Sequence, residues 1–136
     1  MKNLLPLEKL LLSAKTVAIV GLSRDASKES HSVAKYLQAY GYKIIPVNPV
    51  ADELLGEKVF HSLSEINLPV DVVDVFRPSE ECEAVAAEAV KLKPKMLWLQ
   101  LGIENEAAKK IAEKRGVVFV QNKCIRTEHR RLSSKT

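Results

Sequence analysis

An unbroken apolar run that ends at a glycine constrains the fold of this chain more than any other feature. Residues 16–20 (TVAIV) are apolar or β-branched on both faces of an extended chain, which is typical of a strand buried on both sides of a parallel sheet. Gly21 follows at once, where a chain leaving such a sheet must turn sharply. Ser23, Arg24 and Lys28 then precede a helical pattern. Because unpaired backbone N–H groups point outward at a helix N-terminus, this arrangement predicts a phosphate-bearing ligand.

The same theme of strand, turn and amphipathic helix repeats along the sequence. Strands are predicted at residues 16–20, 43–47, 71–76, 95–101 and 117–120, and helices at 32–40, 80–91 and 105–115. With right-handed crossovers, this alternation predicts an α/β, Rossmann-like doubly wound fold: a mostly parallel sheet with helices on both faces. We expect a single domain over residues 1–136, with an N-terminal helix at about 4–14 and a basic C-terminal tail at about 123–136.

Three polar or imino residues refine this prediction. Pro46 is awkward inside a central strand, so the second strand is expected to lie at an edge of the sheet or to end there. Ser79 and Asn105 precede helical patterns and are predicted to be N-caps. In residues 50–66 we expect a short excursion with a small strand at 59–60 and one helical turn up to Ile66.

Composition narrows the class of protein. The chain has 136 residues, 46% hydrophobic and 28% charged, as in soluble globular proteins, and no apolar segment is long enough to span a bilayer. The N-terminus carries Glu8 and lacks a small-residue cleavage site, so we expect a cytoplasmic protein. Cys82 and Cys124 make no disulfide framework, and no histidine stands at ligand spacing from them, so no metal is expected.

Four predicted strands end in residues suited to binding. The segments just past them are Gly21, Leu22, Ser23 and Arg24; Asn48 and Pro49; Phe76 and Arg77; and Gln100, Leu101, Gly102 and Ile103. Ligands of doubly wound sheets bind outside the carboxyl ends of the strands, near the point where the strand order reverses. The coincidence of a glycine, an amide or a cation at each strand end therefore predicts one shared site.

The sequence argues against the commonest nucleotide sites. Gly21 stands alone, with Ser23 and Ala26 where a G-x-G-x-x-G fingerprint would have further glycines. Asn48 stands where an acid would hold the ribose of NAD, and no G-x-x-x-x-G-K-[ST] loop is present. The first turn is instead rich in hydroxyls and cations, which suits phosphates that are not bound through a metal.

Five motifs in order, VGLSRDASKESHSVAKYL, GYKIIPVNP, VDVVDVFRPSE, WLQLGI and QNKCI, span residues from about 15 to about 132. This run closely resembles the small stand-alone CoA-binding proteins, which are similar in fold to the CoA-binding domain of the succinyl-CoA synthetase α subunit. The resemblance implies that the chain binds coenzyme A, with its phosphates near residues 21–24 and its adenosine beside Asn48 and Pro49. It also implies that Phe76, Arg77 and residues 100–103 line the pocket.

The family pattern often has a proline shortly after the first serine, where this chain has residues 25–27 (DAS), so the backbone N–H groups that meet phosphate stay open. Arg24, Lys28 and Arg77 are candidate phosphate ligands. The alternative for Arg77 is a salt bridge to Glu80 or Glu81.

No catalytic residue is predicted, so the leading hypothesis is a non-enzymatic protein that binds coenzyme A or an acyl-CoA. The alternative is a CoA-binding subunit of a ligase-type enzyme that acts with a separate nucleotide-binding partner. Nucleic-acid binding by the basic tail is a weaker hypothesis, because no aromatic residues are interleaved with its charges.

Two side chains near the expected site and one surface have a second interpretation. His31 could polarise a ligand group, although capping or surface roles are commoner for such a histidine. Cys124 follows the last predicted strand and could form a mixed disulfide with coenzyme A, although lone cysteines mostly serve packing. The N-terminal leucines exceed the needs of one packing face, which allows a homodimer; they are Leu4, Leu5, Leu7, Leu10 and Leu11.

Overall fold

The computed structural model describes residues 4–134. Within this range the helices are α1 (Pro6–Ser13), α2 (Glu29–Ala39), α3 (Cys82–Ala89), α4 (Glu106–Lys114) and α5 (Ile125–Ser133). The strands are β1 (Thr16–Val20), β2 (Lys43–Val47), β3 (Glu53–Leu54), β4 (Glu57–Lys58), β5 (Val72–Val75), β6 (Met96–Leu99) and β7 (Val118–Val120). None of the helices in this range is long and apolar enough to cross a membrane.

The main sheet is parallel and has the strand order β2-β1-β5-β6-β7. The chain therefore runs outward from β1 to β2 and then crosses back to the other side of β1, where β5 pairs with it. The strand order reverses between β1 and β5, and their carboxyl ends flank the crevice where doubly wound sheets bind ligands. Strands β3 and β4 form a separate antiparallel hairpin.

Helices cover both faces of the sheet, as the alternating sequence predicts. On one face α1, α2 and α5 pack through side chains such as Leu11, Leu37 and Leu132, which are at most 1% exposed. On the other face α3 and α4 bring small residues, including Ala86 and Ala112, against β5 and β6. The Rossmann-like α/β fold is thus confirmed.

The edge position predicted for Pro46 is confirmed. Its strand, β2, is at one end of the sheet. The Pro46 carbonyl accepts a 3.0 Å hydrogen bond from the Phe60 amide, on the side away from β1, so the missing imino N–H of Pro46 also faces outward. Phe60 forms a single parallel bridge to Val47, and the helical turn expected near Ile66 is a 3-10 turn over Leu63–Glu65.

Ser79 is not the N-cap of α3, contrary to the sequence prediction. Residues Ser79–Glu81 form a 3-10 turn, and α3 begins only at Cys82. The Ser79 hydroxyl instead accepts a 3.0 Å hydrogen bond from the Glu104 amide, so it ties the strand ends together. Asn105 does cap α4, because its side chain accepts a 2.8 Å bond from the Ala108 amide.

The segment predicted as a basic tail, for which the sequence favours a solvated helix end, contains an amphipathic helix, α5, that packs into the core. Ile125, His129 and Leu132 are buried on one side of it, at spacings of four and three residues. Arg126 and Arg131 are paired with acids: Arg126 lies 2.8 Å from Glu29, and Arg131 bonds acids on α1 and α5. The helical spacing of these three buried residues is hard to detect from sequence, because the segment is short and most of its other residues are polar or charged.

The N-terminal leucines pack against this chain's own core. Leu11 is 1% exposed, and Leu4, Leu7 and Leu10 are partly buried against the same cluster, whereas Leu5 is 60% exposed. The apolar surplus that favoured a homodimer is therefore largely used within the chain. The helix in this segment, α1, covers Pro6–Ser13.

Candidate functional site

Gly21 lies where β1 and β5 end, and the local geometry requires a glycine there. Its φ is +86°, and a Cβ at this position would lie 2.6 Å from the Phe76 carbonyl oxygen. The Gly21 amide donates a 3.1 Å bond to Val47, and the Phe76 amide donates a 2.8 Å bond to Val20. The first turn is thus fixed to both neighbouring strand ends.

The loop after Gly21 is ordered by its own hydroxyls. The Ser23 amide donates to the Ser30 hydroxyl at 2.9 Å, and the Ser23 hydroxyl accepts from the Asp25 amide at 3.0 Å. The amide and hydroxyl of Ser27 both donate to Asp25, and these bonds lower the pKa of that carboxyl. Ser23 therefore holds the loop in shape, and its carbonyl contacts the Nδ1 of His31 at 2.8 Å.

Arg24 and Lys28 are the exposed cations of this loop. Neither forms an ion pair with any residue in the described range 4–134. Lys28 directly precedes α2, whose first amides face the same loop. Leu22, by contrast, is fully buried, so its side chain supports the loop from beneath.

Asn48 connects three segments of backbone at the end of β2. Its amide nitrogen donates a 2.9 Å bond to the Leu22 carbonyl. Its carbonyl oxygen accepts bonds of 2.8 and 2.9 Å from the amides of Val50 and Ala51. Asn48 is thus engaged within the protein and positions Pro49 next to it.

A first cleft of about 580 Å³ opens on the α3 side of the switch point. It is lined by Val20, Gly21, Val47, Pro49, His61, Ser62, Leu63, Arg77, Glu80, Glu81, Ala84, Val85 and Glu88. Arg77 binds Glu81 through its Nε and one terminal nitrogen, each at 3.0 Å, which is the alternative allowed for it from sequence. The floor of this cleft is largely apolar, whereas its α3 rim carries carboxylates.

A second cleft of about 350 Å³ opens on the other side of the same edge, and it is lined by Glu29, Phe76, Gln100, Leu101, Ile103 and Cys124. Gln100 is only 3% exposed, and its carbonyl oxygen accepts a 3.0 Å bond from the Ile125 amide. Gly102 turns the chain there, and its amide donates a 2.7 Å bond to Asn122.

The predicted residues thus divide by position. Gly21, Pro49 and Arg77 line the first cleft, and Phe76, Gln100, Leu101 and Ile103 line the second. Ser23, Arg24 and Lys28 lie on the loop after Gly21 and line neither cleft. Leu22, Asn48 and Gly102 shape the surrounding loops and line neither cleft.

Two residues that the sequence reasoning left out or gave a minor role lie near each other: Cys124 lines the second cleft, and Asp74 is buried in the sheet close enough for the charge of Cys124 to act on it. Asp74, in the middle of β5, is fully buried, and burial raises its pKa well above the ordinary value, with the nearby Cys124 adding to the shift. A charged residue inside the buried run VDVVDVF was the signal that could have identified it. Burial alone would raise the pKa of Cys124, but hydrogen bonding from Thr127, Gln100 and the Arg126 backbone outweighs it and lowers that pKa.

In the described part of the chain, no group of three or more His, Cys, Asp or Glu side chains is placed to hold a metal ion.

Comparison with known proteins shows relatives over nearly the whole chain. It is 41% identical over 123 residues to the Bacillus subtilis (strain 168) protein YneT, covering 90% of this chain and 91% of that one. The structure of cell-free ID.343 from Thermus thermophilus matches with a TM-score of 0.88 and 38% identity over 93% of this chain and 96% of that one.

A larger enzyme shares the fold over part of its length. The dinucleotide forming acetyl-coenzyme A synthetase 1 of Ca. Korarchaeum cryptofilum matches with a TM-score of 0.73 and 28% identity, over 85% of this chain and 27% of that chain. This chain therefore corresponds to about a quarter of the synthetase. The model of the CoA binding domain family matches residues 15–130. The chain belongs to the CoA binding domain family.

Proposed function

We propose that this protein binds coenzyme A, or an acyl-CoA, across the carboxyl ends of its parallel strands and performs no catalysis of its own. The observation that supports this most is the pair of clefts at this edge of the sheet, together with two exposed cations, Arg24 and Lys28, on the loop after Gly21. Coenzyme A has a flat apolar-faced base, a charged phosphate segment and a long thiol arm. A site with three chemically different parts suits such a ligand.

Charge decides the direction in which we place the ligand. The rim of the first cleft carries Glu80 and Glu88 beside the Arg77–Glu81 ion pair, so its net negative charge would repel phosphates, whereas its apolar floor suits the adenine ring. Phosphates fit better at Arg24, Lys28 and the N-terminus of α2. The thiol arm then extends over Phe76 into the second cleft.

Isothermal titration with coenzyme A tests the proposal. We expect binding, weakened about 2- to 10-fold by R24A or K28A, because each exposed contact to a phosphate contributes about 0.5–1.5 kcal/mol. K110A, a cation on the outer surface of α4, is the matched control and should leave the affinity unchanged. The absence of heat at millimolar coenzyme A would refute the proposal.

A second titration tests the orientation of the ligand. Leu101 is 69% exposed in the second cleft, so L101A removes ligand contact with little effect on the fold. We expect L101A to weaken binding of coenzyme A but not of adenosine 3′,5′-bisphosphate, which lacks the thiol arm. An equal loss for both ligands would contradict the placement.

The likeness to one part of the acetyl-coenzyme A synthetase favours a second candidate function: a CoA-binding subunit that works with a nucleotide-binding partner. Affinity purification from the native cytoplasm would return that partner. Recovery of this chain alone would count against it.

The cytoplasmic location, the homodimer and the exclusion of nucleic acid stay predictions from sequence. Native mass spectrometry reports the subunit number and any retained ligand together. A steep salt dependence of DNA binding, reduced by K123A and R130A at two exposed cations of the C-terminal segment, would revive the nucleic-acid hypothesis.

A further inference from the structure

Cys124 lies on the wall of the second cleft, in surroundings that favour its thiolate. It is the N-cap residue of α5, a helix of nine residues, and so lies at the positive end of that helix. The amide and hydroxyl of Thr127 and the side chain of Gln100 lower the pKa of the Cys124 thiol. Cys82, the other free cysteine, is fully buried, its thiol faces backbone carbonyls, and burial raises its pKa.

Asp74 supplies an independent sign of a ligand at this cleft. Within residues 4–134, neither carboxyl oxygen of Asp74 has a hydrogen-bond partner, and no other buried side-chain oxygen or nitrogen in this range lacks one. Asp74 of β5 lies two residues before Phe76, which directly follows the strand and continues its ladder through a bond to Val20, so both side chains point to the same face of the sheet. Gln100 points to that face as well, because it lies two residues after Trp98, the partner of Asp74 in β6.

An unpartnered buried carboxyl is rare in folded proteins and tends to mark a functional site. Here it lies on the face that carries Phe76, Gln100 and Cys124, and the charge of Cys124 acts on it. The sheet face next to the second cleft thus holds a buried carboxyl, Asp74, without a hydrogen-bond partner in the described range, and the cleft itself is lined by the thiol of Cys124.

We propose that Cys124 exchanges with the disulfide of coenzyme A and so holds one coenzyme A as a mixed disulfide. This inference rests on the proposed function, in which the thiol arm enters the second cleft. The Sγ thiolate of Cys124 attacks one sulfur of the CoA disulfide, and the S–S bond of that disulfide breaks. One CoA leaves as a thiolate and takes a proton from water, while the other stays bonded to Sγ. The Cys124 thiol is oxidised and half of the CoA disulfide is reduced, so no further oxidant is required.

Binding of the nucleotide part makes this exchange selective. With adenosine in the first cleft and phosphates at Arg24 and Lys28, the disulfide is held near Cys124 at a high effective concentration. A disulfide without the nucleotide gains nothing from those contacts. The structure therefore assigns to Cys124 a preference for CoA disulfide over other small disulfides.

The test measures the rate of adduct formation on the reduced full-length protein by intact-mass spectrometry. We expect one added CoA moiety, formed at least tenfold faster from CoA disulfide than the glutathione adduct forms from oxidised glutathione. An excess of adenosine 3′,5′-bisphosphate should remove that advantage. C124S should form no adduct, and the matched variant C82S should react like the wild type.

The outcomes separate this inference from the proposed function. Titration of C124S with reduced coenzyme A measures non-covalent binding and also shows that the variant folds. Binding by C124S without any adduct on the wild type overturns the inference and leaves the proposed function intact. Equal rates with the two disulfides also overturn it, because Cys124 is then only a generally reactive thiol. Absence of non-covalent binding overturns both.

Discussion

At the scale of single residues, Asp74 is the most costly group in the sheet. It lies on β5, the central strand of the sheet, in register with Ile19 of β1 and Trp98 of β6, and is fully buried. Burying an ionised carboxyl without a partner costs several kcal/mol, and the group keeps its proton instead. The pKa of Asp74 is raised because burial disfavours its ionised form.

Stability should therefore fall with rising pH because of Asp74. Above about pH 4 the unfolded chain releases this proton while the folded chain retains it, so unfolding becomes easier by up to about 1.4 kcal/mol per pH unit until the folded pKa is passed. D74N removes this dependence. We expect the advantage of D74N over the wild type in urea unfolding to grow by at least about 1 kcal/mol from pH 4 to pH 7.

The matched control is D52N, at a side chain that is 93% exposed. It should change stability by less than about 0.5 kcal/mol at every pH. An advantage of D74N that stays constant across this range would contradict the assignment.

Gly21 gives a second prediction at this scale. G21A forces an L residue to a φ of +86° and places its Cβ against the Phe76 carbonyl, so we expect a loss of at least about 2 kcal/mol of unfolding free energy. Gly56 has a φ of +78° with nothing within 4 Å of a Cβ, so G56A measures the conformational strain alone, about 1–2 kcal/mol. Equal losses would show that the close approach at Gly21 is unimportant.

At the scale of elements, the sequence predicts buried strands well and ends of helices poorly. The runs at residues 16–20 and 43–47 are unambiguous because every residue is apolar or β-branched apart from Lys43 and Pro46. Ser79 was a plausible cap by type, but its hydroxyl and carbonyl bond residues 104 and 105, which lie 25 and 26 residues away. Such a tertiary contact has no local signal in the sequence.

Helix α5 is a second element that the sequence predicts poorly, here because a buried helix has the composition of a charged surface segment. Its three buried positions are spread among charged residues, and one of them is His129, which accepts or donates a 2.8 Å bond with Tyr36. Burial lowers the pKa of His129, so its ring is uncharged at neutral pH and can lie on the buried side of the helix. Composition alone made the segment look like a solvated end.

Helix α5 is therefore expected to contribute to the core as much as the other helices do. L132A should cost about 2–5 kcal/mol of unfolding free energy, because it leaves a cavity beside α1 and α5. R130A, on the exposed side of the same helix, loses only a cation over the Tyr36 ring at 5.2 Å and should cost at most about 1 kcal/mol. Chemical denaturation measures both, and a similar small effect for the two variants would mean that α5 is loosely attached.

At the scale of the whole molecule, the strand order determines where the site forms. The carboxyl ends of β1 and β5 meet at the switch point, so loops that are far apart in sequence converge there. That convergence could be predicted from the alternation of strands and helices. The division into two clefts could not, because it depends on how Arg77, Asn48 and Gln100 are held by partners elsewhere.

Coenzyme A should stabilise the folded chain as a whole. At a ligand concentration of about 100 Kd, linkage adds about 2.7 kcal/mol, which for a chain of this size raises the melting temperature by roughly 10 °C. Differential scanning calorimetry of C124S with reduced coenzyme A measures the non-covalent effect, and one transition would support the single-domain prediction for residues 1–136. A melting temperature independent of coenzyme A would contradict the binding proposal.

The outward-facing proline of β2 has a consequence for how these molecules behave when crowded. An exposed sheet edge is a template on which a strand from another copy can grow. Along this edge Pro46 offers no donor, its carbonyl is already taken by Phe60, and the next outward amide, that of Asn48, is bonded to Phe60 as well. A strand from another molecule could not form a continuous set of hydrogen bonds along β2, so this edge of the sheet resists the edge-to-edge pairing that begins aggregation.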